Sequence, residues 1–215
     1  ALSSAASDVY KRQEMVTNLS ASVVSILYNF QLMSIAGENG VAAYGVIMYV
    51  NIIFMAIFLG YSIGSAPIVS YHYGAENHTE LKSMFRKSLI LLTVSGVILV
   101  VLSELVARPL VMIFTSYDPE LLDMTASGFQ LYALAFLPMG FNVWGSAFFT
   151  ALNNGAVSAC ISFLRTLVFQ IIVVLTLPIL LGIDGIWLSI VAAELLSLAV
   201  TVSFLLVKRK RYQYA

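Results

Sequence analysis

The stretch NGVAAYGVIMYVNIIFMAIFLGYSIGSAPIVSYHYGA, residues 39–75, contains no charged side chain. A helix needs about 20 predominantly apolar residues to cross the hydrocarbon core of a bilayer, so this stretch is long enough to do so. Residues 15–37 and 124–164 are also free of charge and also long enough. The whole chain is 60% hydrophobic and 10% charged, whereas a soluble domain carries about 25% charged residues. This composition excludes a water-soluble globular fold.

Turn-forming residues divide the apolar sequence into six predicted helices. Gly, Asn, Asp and Pro are concentrated at residues 37–40, 117–119, 153–155 and 182–185, where they favour turns. We therefore predict an all-α membrane protein, a bundle of six transmembrane helices with antiparallel neighbours. The predicted helices cover residues 15–36, 42–70, 88–114, 121–150, 157–180 and 186–207.

Two local patterns add detail to this bundle. The longer connection, residues 72–87, contains Asn77 with Glu80 three positions later, which is typical of a capped helix start and predicts a short interfacial helix. Gly60 and Gly64 are four residues apart, and this spacing predicts close packing between two membrane helices.

The charged residues separate the two ends of the bundle. By the positive-inside rule, the loops and tail rich in Lys and Arg are cytoplasmic. Both ends of the predicted bundle then lie in the cytoplasm, and residues 208–215 form a basic cytoplasmic tail. The basic side contains Lys82, Arg86, Lys87, Lys208, Arg209, Lys210 and Arg211, and the opposite side contains Glu38, Asp118, Glu120, Asp123 and Asp184.

The first residues are interpreted separately from the bundle. Residues 4–13, SAASDVYKRQ, resemble a translated sequencing adapter, so we set residues 1–13 aside as a non-native segment. If the start is instead authentic, a homodimer of six-span units is the alternative.

Charge and cysteine content exclude several other classes. The net charge is zero and the chain has one cysteine, Cys160, with two histidines. Nucleic-acid binding needs an excess of basic residues, and a zinc site needs a cluster of Cys and His ligands. We predict no nucleic-acid partner, no disulfide, no metal site and no cofactor.

Residues 64–77, GSAPIVSYHYGAEN, resemble a signature of the MATE family, the multidrug and toxic compound extrusion transporters. Three further segments resemble the second half of such proteins in the same order: residues 109–114, 148–153 and 182–187. The resemblance covers residues 14–207 and is strongest to the MepA-like bacterial branch.

This resemblance implies a fold and a function. The chain is expected to be the C-terminal six-helix lobe of a twelve-helix transporter in the bacterial inner membrane, completed by an N-terminal lobe. The implied function is not enzymatic: it is efflux of organic cations by antiport with H⁺ or Na⁺. A flippase for lipid-linked oligosaccharide precursors is an alternative, although it would need several basic cavity residues and only Arg165 is available. A non-transporting membrane scaffold is the second alternative.

Polar and soft side chains at helical spacing are the candidates for a substrate cavity. Three spans present such faces, the first of them containing Asn18, Ser22, Ser25 and Asn29. Each face is also compatible with ordinary interhelical packing. The candidates are Asn29, Tyr44, Met48, Asn51, Met55, Gln130, Met139 and Asn142.

Three features of the later spans concern charge and bending. Pro138 lacks a backbone donor and predicts a kink in the fourth span. The cation-binding carboxylate of some MATE branches would fall near Asn142, which cannot titrate. Glu194 lies near the middle of the last span, and Arg165 is the predicted partner in a structural pair, with ion coupling as the alternative.

A simpler pair is predicted near the end of the third span. Glu104 and Arg108 are four residues apart, which favours an ion pair on one helix face.

Overall fold

A computed structural model describes the backbone of residues 2–215 and the side chains of residues 19–215. The regular structure of the described residues is helical throughout, which confirms the predicted all-α class. Asn18 and the segment 1–13 lie outside the residues whose side chains are described. The elements are α1 (Leu2–Gly74), α2 (His78–Thr115), α3 (Pro119–Ala133), α4 (Phe136–Ala151), α5 (Gly155–Phe163), a π-helical turn (Leu164–Val168), α6 (Phe169–Leu181) and α7 (Ile183–Tyr212).

The first element, α1, is two helices joined at Gly37. This residue has φ 63° and ψ −151°, which is not helical. The rings of Tyr28 and Tyr44 stack with centroids 5.3 Å apart and an interplanar angle of 6°. In one straight helix these residues would be separated by about 24 Å along the axis. The chain therefore reverses direction at Gly37, within the predicted turn.

The described residues contain six apolar segments that can cross a membrane. By length and composition α1, α2, the α5–α6 unit and α7 qualify, and α3 with α4 form a further crossing that is bent by 50°. Because α1 divides at Gly37, it contributes two crossings. The predicted number of spans agrees with this arrangement.

The helix boundaries differ from the prediction at two places. No separate interfacial helix lies between residues 72 and 87, because α2 begins at His78 and continues without a break. The Asn77 side chain caps this helix by accepting a bond from the Glu80 backbone N–H at 3.2 Å. At the other end of the chain, α7 continues to Tyr212, so most of the predicted tail is helical.

The bend in the fourth span lies between Ala133 and Phe136, one turn before Pro138. Pro138 has no N–H to donate to the carbonyl of Leu134, and its ring would collide with that carbonyl in a regular helix. The Ala135 N–H instead bonds to the Tyr132 carbonyl at 2.9 Å, which closes a tight turn. The kink therefore has a local backbone cause.

Helix α4 lies at the centre of the bundle and contacts α1, α2, α5 and α7. An added Cβ at Gly140 or Gly145 would collide with Phe58 of α1 or Thr201 of α7. The prediction of close packing at Gly60 and Gly64 is wrong within this lobe, because a Cβ at either position would meet no described atom within 4 Å. Glycines that allow close approach are on the central helix and also on α2, α3 and α7, where an added Cβ at Gly96, Gly128 or Gly185 would collide with a neighbouring helix.

The predicted pair of Glu104 and Arg108 is also wrong. Arg108 Nη2 lies 2.9 Å from Asp123 Oδ1, so the ion pair joins α2 to α3. Both side chains are 64% exposed, and a partner on the neighbouring helix competes with the one on the same helix. The sequence spacing alone could not reveal this neighbour.

Candidate functional site

A cavity of about 320 Å³ lies between both halves of α1 and the later spans. Five of the eight predicted cavity residues line it. The other three do not: the Asn29 amide bonds back to the Ser25 carbonyl at 2.8 Å, Gln130 lies outside the lining, and Asn142 is buried beneath it. The predicted residues in the lining are Tyr44, Met48, Asn51, Met55 and Met139.

A pair of tyrosines forms one wall of the cavity. Tyr28 stacks on Tyr44 across the hairpin, and its hydroxyl donates a hydrogen bond to Gln170 Oε1 at 2.9 Å. The bond fixes the Tyr28 ring against α6, so the two aromatic faces are preorganised. Sequence analysis missed Tyr28 and Gln170, although Tyr28 lies three residues after Ser25 on the polar face of the first span.

Soft and amide groups form the adjoining wall. Met48, Asn51 and Met55 follow one another at three and four residues on α1, so they project from the same face. Asn51 Oδ1 is buried and has no hydrogen-bond partner among the described residues. Thioethers adapt to irregular ligands because they are flexible and polarisable. This wall can therefore accommodate apolar groups of varied shape.

A bidentate ion pair lies at the base of the cavity. Arg165 Nη2 is 2.8 Å from Glu194 Oε1, and Arg165 Nε donates to Oε1 at 2.8 Å and to Oε2 at 3.1 Å. The Glu194 side chain is 1% exposed and that of Arg165 is 13% exposed. The structure thus brings together the two charges that the sequence placed on adjacent spans.

Asn142 extends this pair into a network. Its Nδ2 donates to Glu194 Oε2 at 2.7 Å and to the Glu194 backbone carbonyl at 2.9 Å. Thr201 Oγ1 donates to Asn142 Oδ1 at 2.9 Å. Both carboxylate oxygens of Glu194 therefore have donors, and the network joins α4, α7 and the π-helical turn.

The π-helical turn positions the arginine of this network. Residues Leu164–Val168 have π-helical bonding between α5 and α6. Such a turn changes the direction in which side chains leave the helix, and π-helical turns are frequent at functional sites. Arg165 and Thr166 of this turn both line the cavity.

The cavity contains no dense group of metal ligands. Within residues 19–215, no three His, Cys, Asp or Glu side chains are close enough to hold a metal ion. What the cavity offers is aromatic faces, thioethers, amides and a neutralised ion pair.

Comparisons with solved structures show the fold of a transporter lobe. An outward-facing multidrug resistance MATE family transporter of the MOP superfamily superposes with a TM-score of 0.85 at 20% identity, over 94% of this chain and 46% of that one. The Vibrio cholerae MATE transporter VcmN, in its bent form, superposes with a TM-score of 0.84 at 18% identity, over 94% of this chain and 46% of that one. A MOP superfamily transporter from Pyrococcus furiosus superposes with a TM-score of 0.82 at 20% identity, over 93% of this chain and 44% of that one.

The chain thus spans about half the length of the solved transporters that it matches. No curated protein sequence matches it. The family model described as MatE matches residues 15–176, which is most of the chain. Proteins of this family are transporters and not enzymes. The chain therefore belongs to the MatE family of membrane transporters.

Proposed function

We propose that this chain is half of a secondary active transporter that exports organic cations, with its cavity opening alternately to the two sides of the membrane. The observation that carries the proposal is the cavity of about 320 Å³, walled by stacked tyrosines, methionines and amides from both halves of α1 and the later spans. The other lobe would supply the facing wall. We assign the protein to the MepA-like bacterial branch and to the inner membrane on the motif resemblance.

The lining favours cations that are large and apolar. Aromatic faces attract cations through the ring quadrupole, by about 0.5–2 kcal/mol for each contact. Glu194 is occupied by Arg165, so a substrate cation would find no free carboxylate at the base of this cavity. Recognition would depend on Tyr28, Tyr44 and the methionines. These side chains constrain the shape and orientation of a substrate only weakly, so the cavity would accept many different cations.

The coupling ion, H⁺ or Na⁺, is proposed to bind outside this lobe. Asn142 occupies the position near which some MATE branches have a carboxylate, and an amide cannot titrate. Glu194 accepts bonds from both Arg165 and Asn142, which favours a structural role over ion release. A carboxylate on the first span of the N-terminal lobe is the remaining candidate.

A flippase for lipid-linked oligosaccharide precursors fits this cavity less well. Pyrophosphate recognition requires several charge-assisted donors. Arg165 is the one basic residue in the lining of the described cavity, and its guanidinium is already bonded to Glu194. The charges therefore favour an organic cation over a lipid pyrophosphate.

Efflux from cells that express the full-length gene tests the proposal. A fluorescent organic cation should be exported under a proton or a sodium gradient, and imposing each gradient alone identifies the coupling ion. Tyr44→Ala should lower efflux several-fold, because Tyr44 lines the cavity. Tyr49→Ala is the matched control, since Tyr49 is on the same helix and 67% exposed. Absence of cation export, or equal effects of the two variants, would contradict the proposal and favour a flippase or a scaffold.

The proposed orientation places the basic end of the bundle in the cytoplasm. Lys208, Arg209, Lys210 and Arg211 lie at the end of α7, where the positive-inside rule favours the cytoplasmic side. A green fluorescent protein fused after residue 215 should fluoresce, and an alkaline phosphatase fused there should be inactive. The reverse pattern would overturn the orientation.

A further inference from the structure

A second concave site lies away from the central cavity, between the first turns of α2 and the segment that follows α7. It is an open cleft of about 770 Å³, within the range of about 300–1,000 Å³ for small-ligand sites. None of the residues that line the central cavity comes from α2. The cleft is therefore separate from the central cavity.

One wall of the cleft is formed by residues 213–215, which fold back after α7. Gln213 has a left-handed backbone with φ 53°, which ends α7 and reverses the direction of the chain. Tyr214 is then fully buried, with its ring 4.9 Å from Phe85 and 5.0 Å from Phe148. Its hydroxyl donates to the Leu205 carbonyl at 2.8 Å, and burial raises the pKa of Tyr214 above its ordinary value. The wall is built from fixed contacts.

The other wall is strongly basic. Lys82, Arg86 and Lys87 of α2 line the cleft, and no Asp or Glu side chain does. The ion pairs among residues 19–215 are those of Arg108 and Arg165, so these three cations have no acidic partner in the described part of the chain. Their positions along α2 bring three positive charges to one concave surface.

Apolar side chains continue the cleft from the basic residues along α2. Leu89 and Ile90 line it one turn beyond Arg86, and Ile90 is 59% exposed. Further along the helix Val94, Val97 and Ile98 are also exposed, which is the face expected against acyl chains. The cleft thus changes from cationic to apolar in the direction in which the bundle enters the membrane.

We propose that this cleft binds the phosphate of an anionic phospholipid headgroup, with an acyl chain lying over Leu89 and Ile90. Lys82, Arg86 and Lys87 supply charge-assisted donors for phosphate oxygens, and basic pockets on the cytoplasmic side of membrane helices favour anionic headgroups. A soluble phosphate compound would contact the basic half of the cleft only and would gain nothing from Leu89 and Ile90. This proposal does not depend on which substrate is transported or on the direction of transport.

Native mass spectrometry of the purified chain in detergent tests this proposal. Phosphatidylglycerol and phosphatidylcholine are compared at equal concentration, with glycerol 3-phosphate as the soluble source of the same phosphate chemistry. We expect phosphatidylglycerol to be retained and the other two to be lost. K82Q/R86Q/K87Q should weaken phosphatidylglycerol binding by roughly tenfold or more, and K82R/R86K/K87R should keep it.

The matched control removes three charges elsewhere at the same end of the bundle. R209Q/K210Q/R211Q changes exposed residues that do not line the cleft, so phosphatidylglycerol binding should stay within about twofold of the unmodified chain. Equal loss in both triple variants would show general attraction to the basic end and would overturn the proposal. Equal binding of glycerol 3-phosphate would overturn the lipid as the ligand. Retention of binding by K82Q/R86Q/K87Q, with unchanged helical content by circular dichroism, would also overturn it.

Discussion

Glu194 would destabilise the apolar interior if its charge had no partner, since a carboxylate near the middle of a span is unfavourable by roughly 2.5–3.5 kcal/mol on insertion scales. The structure surrounds it with three donors: two from Arg165 and one from the Asn142 side chain. Thr201 in turn fixes the orientation of the Asn142 amide. At the scale of single residues, the buried charge is best explained as a connection between three spans.

We predict that Glu194→Gln reduces folding more than it reduces ion coupling. The variant keeps the shape of the side chain but leaves Arg165, which is 13% exposed, without a counter-charge. Loss of one partner of a buried ion pair destabilises the folded state by about 3–5 kcal/mol. We expect a lower protein level and a lower thermal denaturation temperature, measured on the purified variant in detergent.

Two further variants make this prediction specific. Arg165→Gln combined with Glu194→Gln should recover much of the lost stability, because no unpaired charge remains. Asp123→Asn removes the acid of the other ion pair, whose side chains are both 64% exposed, and should change stability by less than about 1 kcal/mol. Normal levels of the Glu194 variant with transport lost would instead assign a coupling role to this residue.

The turn at Gly37 determines how the first two spans are arranged. With φ 63° and ψ −151°, Gly37 occupies a backbone region that is essentially restricted to glycine. An added Cβ would meet no described atom within 4 Å, so any effect of a side chain there arises from the backbone alone. The stacked Tyr28 and Tyr44 pair depends on this turn.

Gly37→Ala is therefore predicted to destabilise the chain by about 1–3 kcal/mol. Gly45→Ala is its control, because Gly45 is helical, and an added Cβ there also meets nothing within 4 Å. Alanine in a helix is favoured over glycine by up to about 1 kcal/mol, so this control should be neutral or stabilising. Denaturation in detergent, followed by circular dichroism, measures both. Equal transition midpoints would show that the turn does not require glycine.

A second prediction at the scale of helices concerns Pro138. Pro138→Ala restores the donor for the Leu134 carbonyl and should straighten the 50° bend between α3 and α4. With a rise of 1.5 Å per residue, straightening should lengthen the distance between spin labels at Ser127 and Thr150 by about 3 Å. Pulsed electron resonance measures this distance after Cys160 is replaced by Ala.

Pro109→Ala is the matched control for this measurement. Pro109 lies inside α2, which continues without a break, so its replacement should leave the distance between Ser127 and Thr150 unchanged. A bend that persists in the Pro138 variant would show that packing of α4 against its neighbours, and not the missing N–H, causes it.

The sequence predicted the number of spans and part of the cavity, for identifiable reasons. Long apolar stretches and turn residues such as Gly37 act locally, so they are visible in one chain. The contact of Asn142 with Glu194 joins residues 52 positions apart and depends on which helices are neighbours. The π-helical turn has no sequence signal of its own, and Tyr28 became a wall residue only because the hairpin brings it to Tyr44.

In the proposed function this chain supplies one side of a passage, and the last prediction follows from that proposal. The chain spans about half the length of the transporters that it matches. Expressed alone, the chain should give no export of a fluorescent organic cation above background. Co-expression with an N-terminal lobe should restore export and raise the thermal denaturation temperature, because a partner that binds only the folded state stabilises it.

The homodimer alternative gives a different result in the same experiment. If two copies of this chain form the passage, the chain alone exports the cation, and Tyr44→Ala removes a ring from both walls at once. Co-expression with an N-terminal lobe would then add nothing. Light scattering of the purified chain, with the detergent mass subtracted, measures the stoichiometry directly: a mass of one chain is expected for a lobe, whereas a mass of two chains would replace the half-transporter by a symmetric dimer.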